Sequence, residues 1–195
     1  MDAAAQAPLS LTVRTGLPPE VAYLRETHPR PVWQGHANYG QLADFWLQVH
    51  GSLREHGRAL GQITEAFREG RSDTAHFQQA FVPRLNHFLQ HLMGHHQIED
   101  QAYFPKFRAL DPRMRAGFDL LESDHALIHD RLLTSVERAR GLMAAMAQDA
   151  DTRRRAVDAY AEVSGELLTL MLRHLEDEED LVIPAMLQHG ERSLG

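Results

Sequence analysis

Histidine and glutamate recur in this sequence four residues apart, a spacing that suits the binding of a metal ion. The pairs are His95 with Glu99, His125 with His129, and His174 with Glu178. In a helix, residues four apart lie on one face, one turn from each other, so both side chains of a pair can reach a common point. With His50 upstream, the candidate set has seven groups.

Two of these pairs belong to a weak internal repeat. The stretch HHQIEDQAYFP at 95–105 aligns without gaps to HLEDEEDLVIP at 174–184, and the alignment superposes the two His/Glu pairs. The chain therefore reads as two helix pairs with matching polar positions.

The elements that must position these groups are predicted to be four long helices. Residues 36–195 show apolar residues at helical spacing and no strand-like alternation, which predicts helices over 37–68, 73–104, 113–147 and 151–183. Pro83 is expected to kink the second helix or to split off a short leading helix, and a break before Ser123 is left open. Short connections between long amphipathic helices predict an all-α, antiparallel up-down four-helix bundle.

The first 35 residues are predicted to form a separate, irregular N-terminal arm. They contain five prolines and little apolar periodicity. Trp33 is expected to attach the end of this arm to the body.

The seven groups lie in the middle of the apolar stripes, which predicts that they converge inside the bundle. An ionised carboxylate buried without a partner costs several kcal/mol, and five imidazoles with two carboxylates do not neutralise one another. Bound cations remove this cost. Imidazole and carboxylate suit iron, manganese or zinc, and seven ligands fit two ions better than one.

Composition narrows the classes of function. A formal charge of −7 argues against a nucleic-acid-binding surface. The chain has no cysteine, so a metal must be bound through nitrogen and oxygen. The sequence shows neither a secretory signal nor a membrane span, which predicts a cytoplasmic protein.

The order of these motifs resembles the hemerythrins and the bacterial hemerythrin-like HHE cation-binding domains. The resemblance covers about residues 37–187 and rests on one histidine followed by His-x3-Glu, His-x3-His and His-x3-Glu. It implies two non-haem iron ions. It also implies that His125, His129 and His174 hold one ion and His50 and His95 the other, with Glu99 and Glu178 as bridges. Dioxygen, nitric oxide or a peroxide is the implied ligand.

Several points stay open at the level of sequence. In the hemerythrins proper the last carboxylate is one residue further on, which here is Glu179, although the repeat and the HHE pattern favour Glu178. His91 is expected to fill a gap in the core, with a role near the metal as the alternative. His96 and Asp100 are expected to face solvent or the next helix. The remaining histidines, including His56 and His87, are expected at the surface or its boundary.

The function also has alternatives. A ferritin-like di-iron oxidase or storage bundle would use a carboxylate-rich set with two Glu-x-x-His motifs, whereas this chain has one, Glu122 to His125. An interaction module with a purely structural metal is the third candidate. Binding is favoured over catalysis, weak peroxidase or oxidase activity is left open, and the sequence does not predict the oligomeric state.

Overall fold

The structure, a computed structural model, describes residues 9–194 and is helical, with no strand among these residues. Five α-helices account for most of it: α1 Gln41–Arg68, α2 Thr74–Ile98, α3 Phe104–Leu110, α4 Arg115–Ala145 and α5 Ala150–His189. A π-helical segment, Glu99–Tyr103, joins α2 to α3. This confirms the all-α class, while the antiparallel up-down order remains a prediction.

The predicted helices are found with shifted ends. Pro83 lies inside the uninterrupted α2, so of the two expectations there, a kink or a split, the split is wrong. No break precedes Ser123 in α4. The chain does not leave the second helix at 104 but passes through the π segment into α3, and α5 runs through Pro184 to His189. The residues on both sides of Pro184 are buried, and the burial of these apolar side chains offsets the cost of a proline within the helix.

The chain divides into two compact units. Unit 1 comprises the described residues up to Gly51, then His95–Ala126, and the chain from Leu170 onward; unit 2 comprises Ser52–Gly94 and Leu127–Thr169. Both units take segments from the same long helices.

The N-terminal arm is part of unit 1 and packs against the helices of that unit. Its apolar side chains, together with Trp33, belong to one buried cluster with residues of α1, α3, α4 and α5; those of the arm are Leu17, Val21, Ala22, Leu24 and Trp33. Gly117 of α4 permits this approach, because a Cβ atom there would lie 2.7 Å from Leu181 and 3.2 Å from Val21. The arm contains a 3-10 helix, Arg30–Gly35, and Trp33 holds it to the core as expected.

A carboxylate from beyond α5 fixes the start of α1. Glu191 accepts hydrogen bonds from the backbone N–H groups of Gly40, Leu42 and Ala43 at 3.1, 3.1 and 2.8 Å. These N–H groups lack partners within the helix, and a negative charge suits the positive end of its dipole. The helix that carries His50 is therefore anchored at its N-terminus.

Unit 2 has its own apolar interior. Phe77 stacks on Phe67 and Phe81 with ring centroids 4.3 and 4.8 Å apart, and Phe81 meets Tyr160 edge-on. Burial of such rings stabilises the unit strongly, since each carries a large apolar area.

None of the helices found among residues 9–194 is both long enough and apolar enough to cross a membrane.

Candidate metal centre

The first of two groups of ligand-type side chains in unit 1, called site A, contains two histidines and two glutamates. His50 comes from α1, His95 from α2, Glu99 from the π segment and Glu178 from α5. One ligand atom of each lies within 4.8 Å of those of the others. His50 and Glu178 have no solvent exposure and Glu99 has 1 %. Site A is therefore enclosed by protein.

Site B contains three buried histidines, His96 of α2, His125 of α4 and His174 of α5, whose ligand atoms also lie within 4.8 Å of one another. The rings of His96 and His125 stack with centroids 3.9 Å apart. The Nε2 atoms of His125 and His174 are 3.0 Å apart. Three nitrogen donors thus point at one small volume.

Glu178 connects the two sites. Its Oε1 lies 3.3 Å from Nε2 of His50 in site A, and its Oε2 lies 3.2 Å from Nε2 of His174 in site B. Trp46 donates a hydrogen bond from Nε1 to Oε1 at 2.6 Å, which fixes the carboxylate.

Glu99 connects them a second time. Its Oε1 lies 3.1 Å from Nδ1 of His95, and its Oε2 lies 3.6 Å from Nε2 of His125. Two carboxylates that each present one oxygen to either site have the arrangement of bridging ligands between two cations.

The end of α2 explains how one stretch of chain serves both sites. His95 and His96 are consecutive, so their side chains are about 100° apart around the helix and enter different sites. After them the backbone widens into the π segment, in which the N–H of Phe104 bonds to the carbonyl of Glu99. Such π segments are frequent at functional sites because they shift the helical register. Here Glu99 is buried and the partly exposed Asp100 reaches His125.

A carboxylate stands behind one histidine of site A and two of site B, each at the ring nitrogen Nδ1. The pairs are Glu179 with His50 at 3.0 Å, Asp100 with His125 at 2.7 Å, and Asp124 with His174 at 3.3 Å. A histidine that donates from Nδ1 to a carboxylate keeps Nε2 free for a metal and is held in one orientation. This is the usual surrounding of metal-binding histidines.

Two arginines of the N-terminal arm bind these outer carboxylates. Arg14 donates to both oxygens of Asp124, and its Nε donates to Asp177 at 2.7 Å. Arg30 donates to Glu179 at 2.7 Å. Burial opposes the charge on Asp124, but hydrogen bonds from His174 and Arg14 outweigh it and lower the pKa of Asp124. The arm thus neutralises the acids that orient the histidines.

The buried imidazoles respond differently to their surroundings. Burial lowers the pKa of His95 well below the ordinary value against the opposing charge of Glu178, and burial with the neighbouring imidazoles lowers the pKa of His96 in the same direction. Burial also opposes charge on His174, but Asp124 and Glu178 outweigh it and raise the pKa of His174 to about 9. Neutral imidazole is the form that binds metal, so His95 and His96 are ready ligands, while a cation would displace a proton from His174.

The pKa values of Glu99 and Glu178 are shifted in opposite directions. Burial and the charge of Glu178 raise the pKa of Glu99 well above its ordinary value. Burial pushes Glu178 the same way, but His50 and His174 outweigh it and hold the pKa of Glu178 well below normal. Two carboxylates in one dry pocket do not both ionise without added positive charge, and bound cations would supply that charge.

Unpartnered buried atoms test whether the residues fit a metal pair. Several nitrogens and oxygens of the two sites have no hydrogen-bond partner: His50 Nε2, His95 Nε2, His96 Nε2, both oxygens of Glu99, and Glu178 Oε2. Some lie close to a neighbour, as Glu99 Oε1 does to His95, yet the angle does not suit a hydrogen bond. Buried polar atoms are rarely left unpaired. Ligation would satisfy all six, so this set of nitrogen and oxygen donors fits transition-metal ions.

Six of the seven sequence-predicted residues are brought together in sites A and B: His50, His95, Glu99, His125, His174 and Glu178. His129 is exposed and belongs to neither site. The buried stripe of α4 passes from His125 to Ile128 rather than to His129, because a helical face includes both the third and the fourth residue along. The carboxylate of Glu178 lies in site A, while Glu179 binds His50 from outside.

The structure locates three other residues named in the sequence analysis and reveals residues without a local signal. His96 is buried in site B and Asp100 binds His125, so both contact the next long helix, α4, rather than solvent. The consecutive histidines at 95 and 96 were the available signal for two metal positions. His91 lies with His56 and His87 rather than in the core. The roles of Asp124 and Arg14 depend on contacts between residues 110 positions apart, so spacing could not disclose them.

A comparison with protein families identifies one match. The model of the hemerythrin HHE cation-binding domain matches residues 41–186, from the first residue of α1 nearly to the end of α5. The arm, with Arg14 and Arg30, lies before the matched span. No curated protein and no solved structure gives a significant match. The resemblance drawn from the motifs is confirmed.

Proposed function

We propose that this chain, which belongs to the family of hemerythrin HHE cation-binding domains, is a non-haem di-iron protein that binds or senses dioxygen or a related small oxidant. Nitric oxide and peroxides are the related ligands. Metal binding is the property of the family; the iron, the number of ions and the oxidant are our proposal. An up-down four-helix arrangement is part of it.

The single observation that carries the proposal is the double carboxylate link between sites A and B. Glu99 and Glu178 each present one oxygen to either site. One ion would need only one set of donors, and a purely structural tetrahedral site would need only four. Two linked sets support two ions that share a pair of bridges.

The ligand set proposed here differs from the one that the resemblance implied. His96, His125 and His174 would hold the ion at site B, and His50 and His95 the ion at site A, with Glu99 and Glu178 serving both. His96 takes the place of His129, which is exposed.

The donor count supports binding of a small ligand at site A. With the shared carboxylates counted at both ends, site B offers five donors and site A four. The site with fewer protein donors is the one that keeps a position for an outside ligand. Trp46 lies beside this position, since its indole donates to Glu178 and its ring centroid is 6.3 Å from that of His50.

The iron pair, when bound, supplies reversible exchange of electrons with the small oxidant. The chain supplies the rest: buried walls exclude water, the outer carboxylates hold three histidines in orientation, and Trp46 holds the bridging Glu178. Five neutral nitrogen donors and two carboxylates form a histidine-rich set. This favours reversible binding over the oxidation chemistry of carboxylate-rich ferritin-like sites.

The test combines metal analysis with spectroscopy. Protein expressed in iron-rich medium is expected to contain two iron ions per chain and to show visible absorption that is lost on chemical reduction and returns on exposure to air. Steady consumption of added iron(II) would favour the ferritin-like oxidase instead. A metal whose removal melts the fold, with a spectrum indifferent to oxidants, would indicate a structural role. Folded protein free of transition metals would overturn the proposal.

A further inference from the structure

Unit 2 contains a third cluster of metal-ligand type, formed by three histidines that share no residue with sites A and B. His56 comes from α1, and His87 and His91 come from α2. One ring nitrogen of each lies within 4.8 Å of the other two. The ring of His56 is 4.6 Å from that of His87 and 6.0 Å from that of His91.

Two helices present this cluster at fixed positions. His87 and His91 are four residues apart on α2, so their rings lie one turn apart on a single face. His56 meets them from α1, and its Nδ1 hydrogen-bonds to the hydroxyl of Ser52 at 3.2 Å. That bond sets the ring orientation and leaves Nε2 of His56 available. The three rings are thus placed by regular secondary structure rather than by a loop.

One atom of the cluster is left without a partner. Nδ1 of His91 is buried and makes no hydrogen bond. A buried ring nitrogen normally has a partner. Burial, with some repulsion from His56 and His87, lowers the pKa of His91 and keeps its imidazole neutral. A neutral, unpartnered nitrogen beside two further imidazoles is suited to accept a metal ion.

The surroundings differ from those of sites A and B in charge and access. Among the described residues, this cluster contains no carboxylate. His87 is exposed and His56 and His91 are partly exposed, so an ion can enter from solvent. Three neutral imidazoles leave both charges of a divalent cation uncompensated, and the open positions would be filled by water or by an anion.

We propose that His56, His87 and His91 form a second metal site that binds one divalent ion of the zinc, nickel or copper class. Imidazole-only donor sets bind these ions more tightly than iron(II), following the general order of stability of divalent complexes. The site retains at least one coordination position for water or a small anion. It is independent of the iron centre, because the two draw on different residues.

Binding of zinc to the full chain as purified tests the site. Equilibrium dialysis against Zn²⁺ is compared for the natural chain, His56→Ala, His87→Ala and His76→Ala. His76 is an exposed histidine of the same helix outside the cluster and serves as the matched control. We expect one equivalent of zinc, bound with a Kd of about 1 µM or tighter, to be lost in the first two variants and kept in the third.

A second measurement keeps the result independent of the iron centre and of folding. Circular dichroism establishes that each variant is helical, and Co²⁺ absorption in the visible range reports whether the ion sits in a nitrogen site. An equal zinc stoichiometry in all four proteins would overturn the proposal. An affinity for zinc about 100-fold weaker than expected would indicate adventitious binding by surface histidines and would also overturn it. A stoichiometry of one zinc ion per two chains would do the same. Iron content unchanged in His56→Ala would leave the proposed function untouched.

Discussion

Sites A and B and the three-histidine cluster of unit 2 bring imidazoles together under different conditions. In sites A and B the ligands are buried, two carboxylates are shared, and acids and arginines surround the histidines. The unit 2 cluster is open to solvent, and its support is one serine hydroxyl. Water can solvate charge at the unit 2 cluster but not at sites A and B. A buried centre therefore requires surrounding protein groups of opposite charge. The variants below test how strongly metal binding at each cluster depends on the residues that surround its histidines.

The largest effect is expected from His174→Ala. His174 contacts both Glu178 and Asp124, so its removal takes a ligand from site B and leaves two buried carboxylates with less support. We expect loss of most bound iron and a decrease of about 3–5 kcal/mol in the free energy of unfolding. Metal analysis and denaturant titration measure the two effects. Full iron retention would contradict the assignment of site B.

Arg14→Met probes the outer shell rather than the ligands. It removes the guanidinium from Asp124 and Asp177, both of which are buried. We expect a decrease of roughly 3 kcal/mol in the free energy of unfolding, because two buried carboxylates lose a partner. The affinity for iron should fall about 10–100-fold, because Asp124 orients His174.

The control for Arg14→Met is Arg25→Met, in the same arm. The Arg25 side chain is 34 % exposed and lies 3.4 Å from Asp180, so its loss should change stability by less than about 1 kcal/mol. Equal effects of the two substitutions would mean that the arm acts through packing alone. Denaturant unfolding of both variants, with iron content, decides this.

His96→Ala and His129→Ala separate the ligand set that we propose from the one that the sequence resemblance implied. His96 lies in site B, whereas His129 is exposed. We expect His96→Ala to weaken iron binding by about 100-fold and His129→Ala to leave it unchanged. Competition with a chelator of known affinity measures both. The reverse outcome would restore His129 to the centre.

Spacing predicted most of the side chains that come together in sites A and B, because local geometry determines which of them share a face. Any helix places residues four apart on one face, so His95 with Glu99 and His174 with Glu178 could be paired from sequence alone. The same rule predicted His129 as well, but that side chain is exposed, since a face admits a step of three as well as four. It missed His96 because His96 lies about 100° around α2 from His95, outside the face that His95 shares with Glu99.

The long helices were predictable for a similar reason, whereas most tertiary contacts of the arm were not. Apolar periodicity over 28 to 40 residues is a strong signal for α1 and α5. The arm, rich in proline, has no such period, and its order comes from tertiary contacts. Val21 fits against Gly117 and Leu181, and Arg14 binds acids far along the chain. Composition indicates the conformational preference of an isolated segment, whereas this segment is ordered by its contacts with the helices.

The attachment of the arm should also depend on pH. Tyr23 of the arm donates a hydrogen bond to Asp111; burial and this bond raise the pKa of Tyr23 to about 12. A raised pKa means that the stabilisation is fully present below pH 10, the value for the unfolded chain, and is lost as the pH rises towards 12. We expect Tyr23→Phe to cost about 1 kcal/mol at neutral pH, and the difference to vanish between pH 10 and 12. Unfolding curves measured from pH 7 to pH 12 test this, and a constant difference would contradict it.

The smallest effect is expected from Ser52→Ala at the three-histidine cluster, where the support of the ligands is weakest. The hydroxyl holds one ring nitrogen of His56, so its loss frees the ring without removing a ligand. A neutral hydrogen bond at a partly exposed position contributes about 0.5–1 kcal/mol, which corresponds to a two- to five-fold weaker affinity for zinc. Removal of any one of the carboxylates that hydrogen-bond to the histidines of sites A and B should weaken the affinity for iron about ten-fold or more. Zinc titration of Ser52→Ala and iron titration of Asp124→Asn make that comparison directly. Equal losses of metal affinity would show that the orientation of the histidine ring, rather than the charge next to it, determines affinity in both clusters.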